Sequence, residues 1–260
     1  MAEYVDVEKA KDLPGLRLVL SVGVPGPWGE AAKGVFHVKR VPFVRVRQDP
    51  GLPNEELERW TGHANAPLAI YADERPRSAW SEIVLLAERL APESPLLPSD
   101  PERRALTFGY LHELAGEMGL GWCRRLTLLH EVLSLPPERA GAAREIVERL
   151  GQRYGYHPAA AEAAPRRAAE ILRLFSERLR RQRERGSRFL VGAELSALDI
   201  YWAAFAALVE PLPPELCPMP EFLRRQYSAS DPIVRGAADP LLLEHRDFIY
   251  REYLELPVDL

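Results

Sequence analysis

Two short segments carry the side chains whose spacing best suits a binding site. Pro67 follows Ala66 and stands directly before the apolar run Leu68–Tyr71. Because proline has no amide hydrogen, strand pairing cannot continue through it, so it belongs at the edge of a sheet. Ser78 precedes the amphipathic segment Ala79–Leu90 and is predicted to cap it as a helix, whose N-terminus would attract an anion such as a carboxylate. On these residues alone, structural roles as an edge proline and a plain cap are favoured.

The remaining reactive side chains form no recognisable cluster. Cys123 and Cys217 lie far apart and make no Cys-x-x-Cys pair, so we expect neither a disulfide framework nor a metal site. His112 and His130 have no partner at metal-ligand spacing, and we expect structural roles for both. The arginine-rich run Arg178–Arg185 is expected to be a solvated helix end rather than a nucleic-acid-binding patch.

Length and charge exclude several classes of protein. The chain has 260 residues, of which 47% are apolar and 28% charged, with a net charge of −4. It can bury a sizeable core in two domains or one large one, and its charge gives no reason to expect nucleic acid or an anionic membrane as a partner. No apolar run approaches the roughly 20 residues that span a bilayer. Met1–Lys11 is polar and lacks a signal-peptide core, which predicts a cytoplasmic protein.

The elements that would position the first segments alternate between strand and helix. Short apolar or alternating runs predict strands, and amphipathic runs that begin at Pro, Asn or Ser predict helices. The predicted order is strand Leu16–Val22, helix Trp28–Arg40, strand Pro42–Arg47, helix Asn54–His63, strand Leu68–Tyr71 and helix Ala79–Leu90. A fourth strand is not visible, although the turn Asp73–Arg77 could contain a very short one.

Strand signals disappear after the proline-rich stretch Pro92–Pro101, which is predicted to be a linker. Helices are then predicted at Pro101–Met118, Trp122–Leu133, Pro137–Tyr154, Pro165–Arg185, Ser196–Val209, Glu221–Tyr227 and Pro240–Tyr253. The run Ile200–Val209 is apolar on almost every side, so this helix should be central and buried. The fold class is therefore an α/β unit followed by an all-helical unit.

This order resembles that of the cytosolic glutathione S-transferases, in which a thioredoxin-like βαβαβα domain precedes a helical domain. One local match is Ala66-Pro67 before a strand, followed by Arg77-Ser78 at the opening of a helix. It is similar to the family's arrangement of Val-Pro, a strand and Glu/Gln-Ser.

A more specific match is Phe189–Trp202, which resembles the family's Phe-x-x-Gly-x-x-x-Ser-x-x-Asp segment. Within it, Ser196 and Asp199 are predicted to form a capping box that satisfies amides at the start of the buried helix. The resemblance covers most of the chain, in the manner of an atypical bacterial-type member. It implies a glutathione-binding domain at residues 1–91 and a helical domain at residues 100–260 that contributes the acceptor pocket.

The resemblance also implies how glutathione would bind. The backbone of Ala66 would pair with the cysteinyl backbone of glutathione, and Pro67 would hold that edge open. The hydroxyl of Ser78 and the amides of the helix behind it would bind the γ-glutamyl carboxylate. Arg77 stands where the family commonly has Glu or Gln; it could grip a carboxylate bidentately, but it could not receive the glutathione amino group as Glu does.

The first loop departs further from the family, which places a catalytic Ser or Cys near the start of the first helix or a Tyr at the end of the first strand. Here the helix opens with Gly26-Pro27-Trp28-Gly29, which has neither hydroxyl nor thiol. Ser21 lies near the tyrosine position and is a candidate thiolate donor, although a satisfied strand-end hydroxyl is the favoured alternative. Activation by the backbone amides of Trp28 and Gly29 is another possibility.

The sequence does not decide whether other residues act as thiolate donors or line the acceptor pocket. Tyr4 and Tyr201 could serve as thiolate donors only if the fold brings them to the site. Trp122, Tyr110 and His112 could line the acceptor cleft, but core positions are favoured for them.

The leading hypothesis is a glutathione S-transferase-like enzyme that uses glutathione as a substrate against a small hydrophobic electrophile. A non-catalytic ligand-binding or dimerising scaffold of the same fold is the alternative, favoured by the missing loop nucleophile. A glutathione-dependent lyase or reductase is a weaker third possibility, since the loop has no cysteine. The resemblance also implies a homodimer.

Overall fold

The computed structural model describes residues 3–141 and 143–260. Residues 1 and 2, from the segment judged to lack a signal core, lie outside the described residues. So does Ala142, which falls within the helix predicted at Pro137–Tyr154.

From residue 3 to Leu90, the described chain forms three strands and four helices. In chain order they are α1 (Val7–Ala10), β1 (Leu16–Ser21), α2 (Pro27–Val38), β2 (Phe43–Gln48), α3 (Glu55–Thr61), β3 (Leu68–Tyr71) and α4 (Trp80–Leu90). All three predicted strands are confirmed within one or two residues. The short helix α1 was not predicted from the sequence.

The sheet has β1 at its centre, with β2 parallel on one side and β3 antiparallel on the other. Strand residues alternate between its two faces, as strand geometry requires. Leu18 and Leu20 pack toward the helices α2 and α4, whereas Val19 packs with residues of α1 and α3. Helices therefore cover both faces of this small mixed sheet.

The turn after β3 does contain a very short fourth strand, reduced to one antiparallel bridge between Ala69 and Arg77. Each residue donates its amide to the carbonyl of the other at 3.0 Å. The chain then continues toward α4. The bridge is too short to give the alternating pattern by which a strand is recognised in a sequence.

The described residues after Leu90 form helices and loops. The helices are α5 (Pro101–Ala115), α6 (Leu120–Leu133), α7 (Pro137–Ala140), α8 (Ala143–Arg153), α9 (Pro158–Glu184), α10 (Ala197–Phe205), α11 (Glu221–Tyr227), α12 (Pro232–Ala237) and α13 (Pro240–Tyr253), with a 3₁₀ turn at Ala206–Leu208. The fold class, a thioredoxin-like unit followed by a helical unit, is confirmed. No described helix is both long and apolar enough to cross a bilayer.

Helix α10 is the centre of the helical unit, as predicted. Every residue from Ala197 to Phe205 is buried, and the helix contacts α2, α5 and α13. At its start, the amide and hydroxyl of Ser196 donate to Asp199 Oδ2 at 3.0 and 2.7 Å. The predicted capping box is thus confirmed. Asp199 Oδ1 additionally accepts the amide of Leu190 at 2.8 Å and lies 2.9 Å from His245 Nε2.

The start of α9 was predicted incorrectly. Pro165 was expected at the first helical position, where proline is favoured, but the helix begins at Pro158 and Pro165 lies inside it. The cap is His157, whose Nδ1 accepts the amide of Ala159 at 3.3 Å. Both prolines carry the same local signal, so the sequence did not distinguish the real start from the interior position.

Candidate functional site

The ends of two strands, the peptide before a third strand and the starts of two helices lie together at one edge of the sheet. Because β1 and β2 are parallel and β3 is antiparallel to β1, Ser21 and Gln48 at the strand ends lie at the same edge as the Ala66–Pro67 peptide, which is cis. Helix α2 begins just after β1 and so starts at this edge. After β3 the chain turns back and runs antiparallel to β3 at Arg77. The start of α4, three residues later, therefore lies at this edge as well. We call this region, comprising these strand ends and the N-termini of α2 and α4, the Pro67 edge.

The N-terminus of α2 presents backbone amides that no side chain caps, which is the geometry of an anion-binding site. Gly26 is the N-cap residue and offers no side-chain bond to the first turn, so the amides of Trp28 and Gly29 have no partner within the helix. The indole of Trp28 points toward the helical unit. Its Nε1 donates to the carbonyl of Ala115 at 2.9 Å, and its ring meets Phe205 edge-on at 5.0 Å.

Ser21 lies at the Pro67 edge, but its hydroxyl already has a partner. Its Oγ donates to Gln48 Oε1 at 2.6 Å, and Gln48 Nε2 donates onward to the carbonyl of Asp49 at 3.0 Å. This is the arrangement of a satisfied strand-end hydroxyl, the alternative that the sequence favoured. To stabilise a thiolate, Ser21 would have to give up this bond, and its catalytic role stays a prediction.

The predicted cap of α4 was wrong by one residue. The helix begins at Trp80, the N-cap position belongs to Ala79, and no side chain there bonds to the first-turn amides. Ser78 lies one residue further back, where the backbone is still leaving the bridge at Arg77, and it is exposed. The start of α4 is therefore open to an external anion, with the Ser78 hydroxyl beside it.

Arg77 is held in a surface ion-pair cluster. Its guanidinium donates to Glu74, whose Oε2 also accepts from Arg89 Nη2 of α4 at 2.6 Å. Hydrogen bonds from Arg89 and then Arg77 hold the pKa of Glu74 below its usual value. Arg77 would have to leave this carboxylate to bind glutathione, so its predicted role requires an exchange of partners.

Aromatic side chains surround the guanidinium of Arg125 near the start of α2. This is where the helical unit contacts α2. Arg125 of α6 lies over the ring of Trp28 at 5.5 Å and over Tyr154 at 4.6 Å, and Tyr154 packs edge-on against Trp122 at 5.3 Å. We call these four residues the α6 aromatic cluster. Trp122 was among the candidates for the acceptor cleft, whereas Arg125 and Tyr154 were not identified from the sequence.

Helix α8 reaches the loop that follows β2, close to the same edge. Arg149 Nη2 lies 3.4 Å from the carbonyl of Gly51, and a Cβ at Gly51 would lie 3.1 Å from Ile146. The helical unit thus lies against the α/β unit on two sides of the Pro67 edge, through α6 and α8. Such junctions between units are common positions for ligand clefts.

Of the other candidate donors, Tyr201 is buried and Tyr4 is half-buried. Tyr201 is almost fully buried in α10, and burial raises its pKa above the usual value. Burial raises the pKa of Tyr4 to about 12. The thiols of Cys123 and Cys217 are buried too, and desolvation raises the pKa of each to about 11. Neither thiol has the lowered pKa of a cysteine nucleophile.

Tyr110 and His112 of α5 do not reach the α6 aromatic cluster in the described contacts. Tyr110 is half-buried at the border of the core, where it packs edge-on against Phe175 at 5.3 Å. His112 lies beside Gly116 at the end of α5, where a Cβ on the glycine would be 2.3 Å from the imidazole.

Solved structures with a similar fold come from bacteria and plants. A glutathione S-transferase of Methylobacterium radiotolerans, crystallised with glutathione sulfonate, is 17% identical over 91% of each chain with a TM-score of 0.60. The β-etherase LigF of Sphingobium sp. strain SYK-6 is 17% identical over 91% of this chain and 95% of its own, with a TM-score of 0.61. Rice GST1 in complex with glutathione is 20% identical over 95% of this chain and 94% of its own, with a TM-score of 0.57.

No family model matches the sequence, and no curated protein matches it. The likeness is thus one of three-dimensional arrangement, and it extends over both the α/β unit and the helical unit. The chain has the glutathione S-transferase fold.

Proposed function

We propose that the chain binds glutathione at the Pro67 edge and, as a glutathione S-transferase-like enzyme, bonds the glutathione sulfur to a small electrophile, either by addition or by displacing a leaving group. The observation that carries this proposal is the convergence of the Ala66–Pro67 peptide with two helix N-termini that lack side-chain caps. A tripeptide with one thiol and two carboxylates is complementary to such a surface. Solved structures with this fold contain glutathione or its sulfonate.

In this proposal, each part of the edge holds a different part of the tripeptide. The backbone of Ala66 pairs with the cysteinyl unit, and the open start of α4 with Ser78 binds the γ-glutamyl carboxylate. The sulfur then lies over the amides of Trp28 and Gly29. Lowering a thiol pKa by about two units requires roughly 2.7 kcal/mol of preferential thiolate stabilisation, to which a helix N-terminus contributes a part.

The α6 aromatic cluster supports the acceptor side of the proposal. Trp28 belongs both to this cluster and to the first turn of α2, so a ring-bearing electrophile held there would lie near the sulfur. Aromatic walls with one positioned cation are typical of small-molecule pockets. We infer that the helical domain, residues 100–260, supplies this pocket, while residues 1–91 supply the glutathione site.

A non-catalytic scaffold of the same fold is the alternative. It is favoured by the absence of a side chain at Gly26 and by the hydrogen bond that occupies the Ser21 hydroxyl. Such a protein would bind glutathione without turning over an aryl halide, whereas the enzyme would do both.

Substituting Ser78→Ala is expected to weaken glutathione binding by about 1–3 kcal/mol without lowering the free energy of unfolding. Stability should be unaffected because Ala79, not Ser78, is the N-cap of α4. Calorimetric titration with glutathione and urea denaturation measure the two effects separately. Ser134→Ala, at the end of α6, serves as the control for loss of a hydroxyl outside the site. An unchanged affinity in Ser78→Ala would remove this residue from the site.

The homodimer remains a prediction, and two exposed leucines suggest where to test it. Leu85 of α4 and Leu106 of α5 are 43% and 39% exposed, and the two helices touch where Trp80 packs against Phe108 at 6.1 Å. Leu106→Glu is expected to convert a dimer into monomers in light scattering coupled to size-exclusion chromatography. Leu174→Glu on α9, where the leucine is 38% exposed, is the matched control. A monomeric wild-type chain would contradict the prediction.

A further inference from the structure

The helical unit contains a cavity of about 240 Å³ at the end of α9 and against α13. None of its lining residues belongs to the Pro67 edge or to the α6 aromatic cluster. They are Arg183, Gly186, Ser187, Arg188, His245 and Phe248. The cavity is therefore lined by two arginines, a histidine and one aromatic ring, with no carboxylate in the lining.

Arg188 is positioned without an acidic partner. The carbon of its guanidinium lies 3.8 Å above the centre of the Phe248 ring, and it makes no ion pair with a carboxylate in the described part of the chain. Stacking on a ring orients the planar group and leaves its N–H edges available. A guanidinium held in this way is suited to bidentate binding of a carboxylate or phosphate.

Arg183 supplies a second positive charge. Its Nη1 lies 3.7 Å from Glu244 Oε2, and both side chains are largely exposed. An ion pair of this kind contributes little and can be exchanged for a better acceptor. A ligand oxyanion in the cavity could thus replace Glu244 as the partner of Arg183 with little loss of free energy.

His245 is the most buried residue of the lining. It is 1% exposed, and its Nε2 lies 2.9 Å from Asp199 Oδ1. The carboxylate of Asp199 is itself satisfied by the amides of Leu190 and Ser196 and by the Ser196 hydroxyl. These hydrogen bonds hold the His245 imidazole in place. They also keep the Asp199 carboxylate directed toward the start of α10.

We propose that this cavity binds a small oxyanion, a phosphate monoester or a carboxylate group, between Arg188 and Arg183 above Phe248. Its volume is below the roughly 300 Å³ at which drug-sized pockets begin, so it suits an anionic group of a few heavy atoms. The cavity shares no residue with the proposed glutathione site.

Calorimetric titration of the full chain with inorganic phosphate and with acetate, at constant ionic strength, tests the proposal. Saturable binding of one ligand per chain is expected, and the tighter of the two anions identifies the preferred chemistry. Arg188→Gln should weaken that binding at least about tenfold, and Arg188→Lys should give an intermediate loss, because lysine keeps the charge but not the fork. Arg225→Gln, which removes an exposed arginine of α11 outside the cavity, should bind as the wild type does.

Two outcomes would overturn the proposal. One is the absence of saturable binding by either anion. The other is equal weakening in Arg188→Gln and Arg225→Gln, since that would show a general effect of net charge. Circular dichroism of each variant establishes that the fold is intact, which is expected because both arginines are exposed.

Discussion

Substituting Asp199→Ala is expected to destabilise the chain by about 3–5 kcal/mol, a large part of the stability of an ordinary domain. The Asp199 carboxylate is fully buried and meets four donor groups on three segments of the helical unit. Its removal leaves the amides of Leu190 and Ser196 without acceptors. Unsatisfied buried donors are more costly than the bonds they replace are stabilising.

Urea denaturation followed by circular dichroism measures this effect, and Asp231→Ala is its matched control. Asp231 also caps a helix, since its Oδ1 accepts the amide of Ile233 at 2.8 Å, but it is partly exposed. Its loss should cost only about 1 kcal/mol, the usual contribution of a cap. Equal losses in the two variants would show that Asp199 acts as a simple helix cap and not as the centre of a buried network.

Placing a hydroxyl at the start of α2 by Gly26→Ser is expected to raise the rate of glutathione conjugation. A hydrogen bond to a charged group contributes about 1.5–3 kcal/mol, which corresponds to a roughly ten- to hundredfold increase. The position accepts a side chain, because Gly26 has a φ of −59° and a Cβ there would have no heavy atom within 4 Å outside its chain neighbours. As the N-cap residue, a serine at position 26 accepts a hydrogen bond from one of the amides that are proposed to hold the sulfur, and its own hydroxyl hydrogen is then donated to the thiolate in place of that amide.

Turnover of a generic aryl halide and the pKa of bound glutathione, followed by thiolate absorbance, measure this gain. Gly26→Ala provides the control, since it adds the Cβ without the hydroxyl and should leave both quantities near their wild-type values. A Gly26→Ser variant that binds glutathione but shows no change in either quantity would place the sulfur elsewhere than at the start of α2.

The fold could be predicted from the sequence because its strong signals are local. The three strands are short apolar or alternating runs, and the segment Phe189–Trp202 combines a loop, a cap and an apolar helix in sequence order. Wrong or missing predictions occur where competing signals are equal or weak. Pro158 and Pro165 both look like helix starts, and the one-bridge strand at Arg77 has no pattern of its own.

The candidate site was predictable only in its backbone parts. Ala66–Pro67 and the two helix starts follow from turn and cap residues, although the cap of α4 is Ala79 and not Ser78, because the backbone is still extended at Ala79, two residues beyond the bridge. Side chains that the helical unit contributes to the site are not marked by any turn or cap residue in the sequence. Arg124 and Arg125 are neighbours in sequence, yet Arg124 Nε donates to the buried carbonyl of Leu208 at 2.8 Å while Arg125 covers Trp28. Their helix alone does not say which arginine faces the cleft.

The most direct test of glutathione binding at the Pro67 edge is a titration of intrinsic tryptophan fluorescence with glutathione. Trp28 lies in the first turn of α2 and Trp80 in the first turn of α4, so both report on the proposed site. We predict a saturable change in emission in the millimolar range or below, reduced in amplitude by Trp28→Phe and shifted to higher concentration by Ser78→Ala. Emission that does not change up to millimolar glutathione would contradict the proposed site.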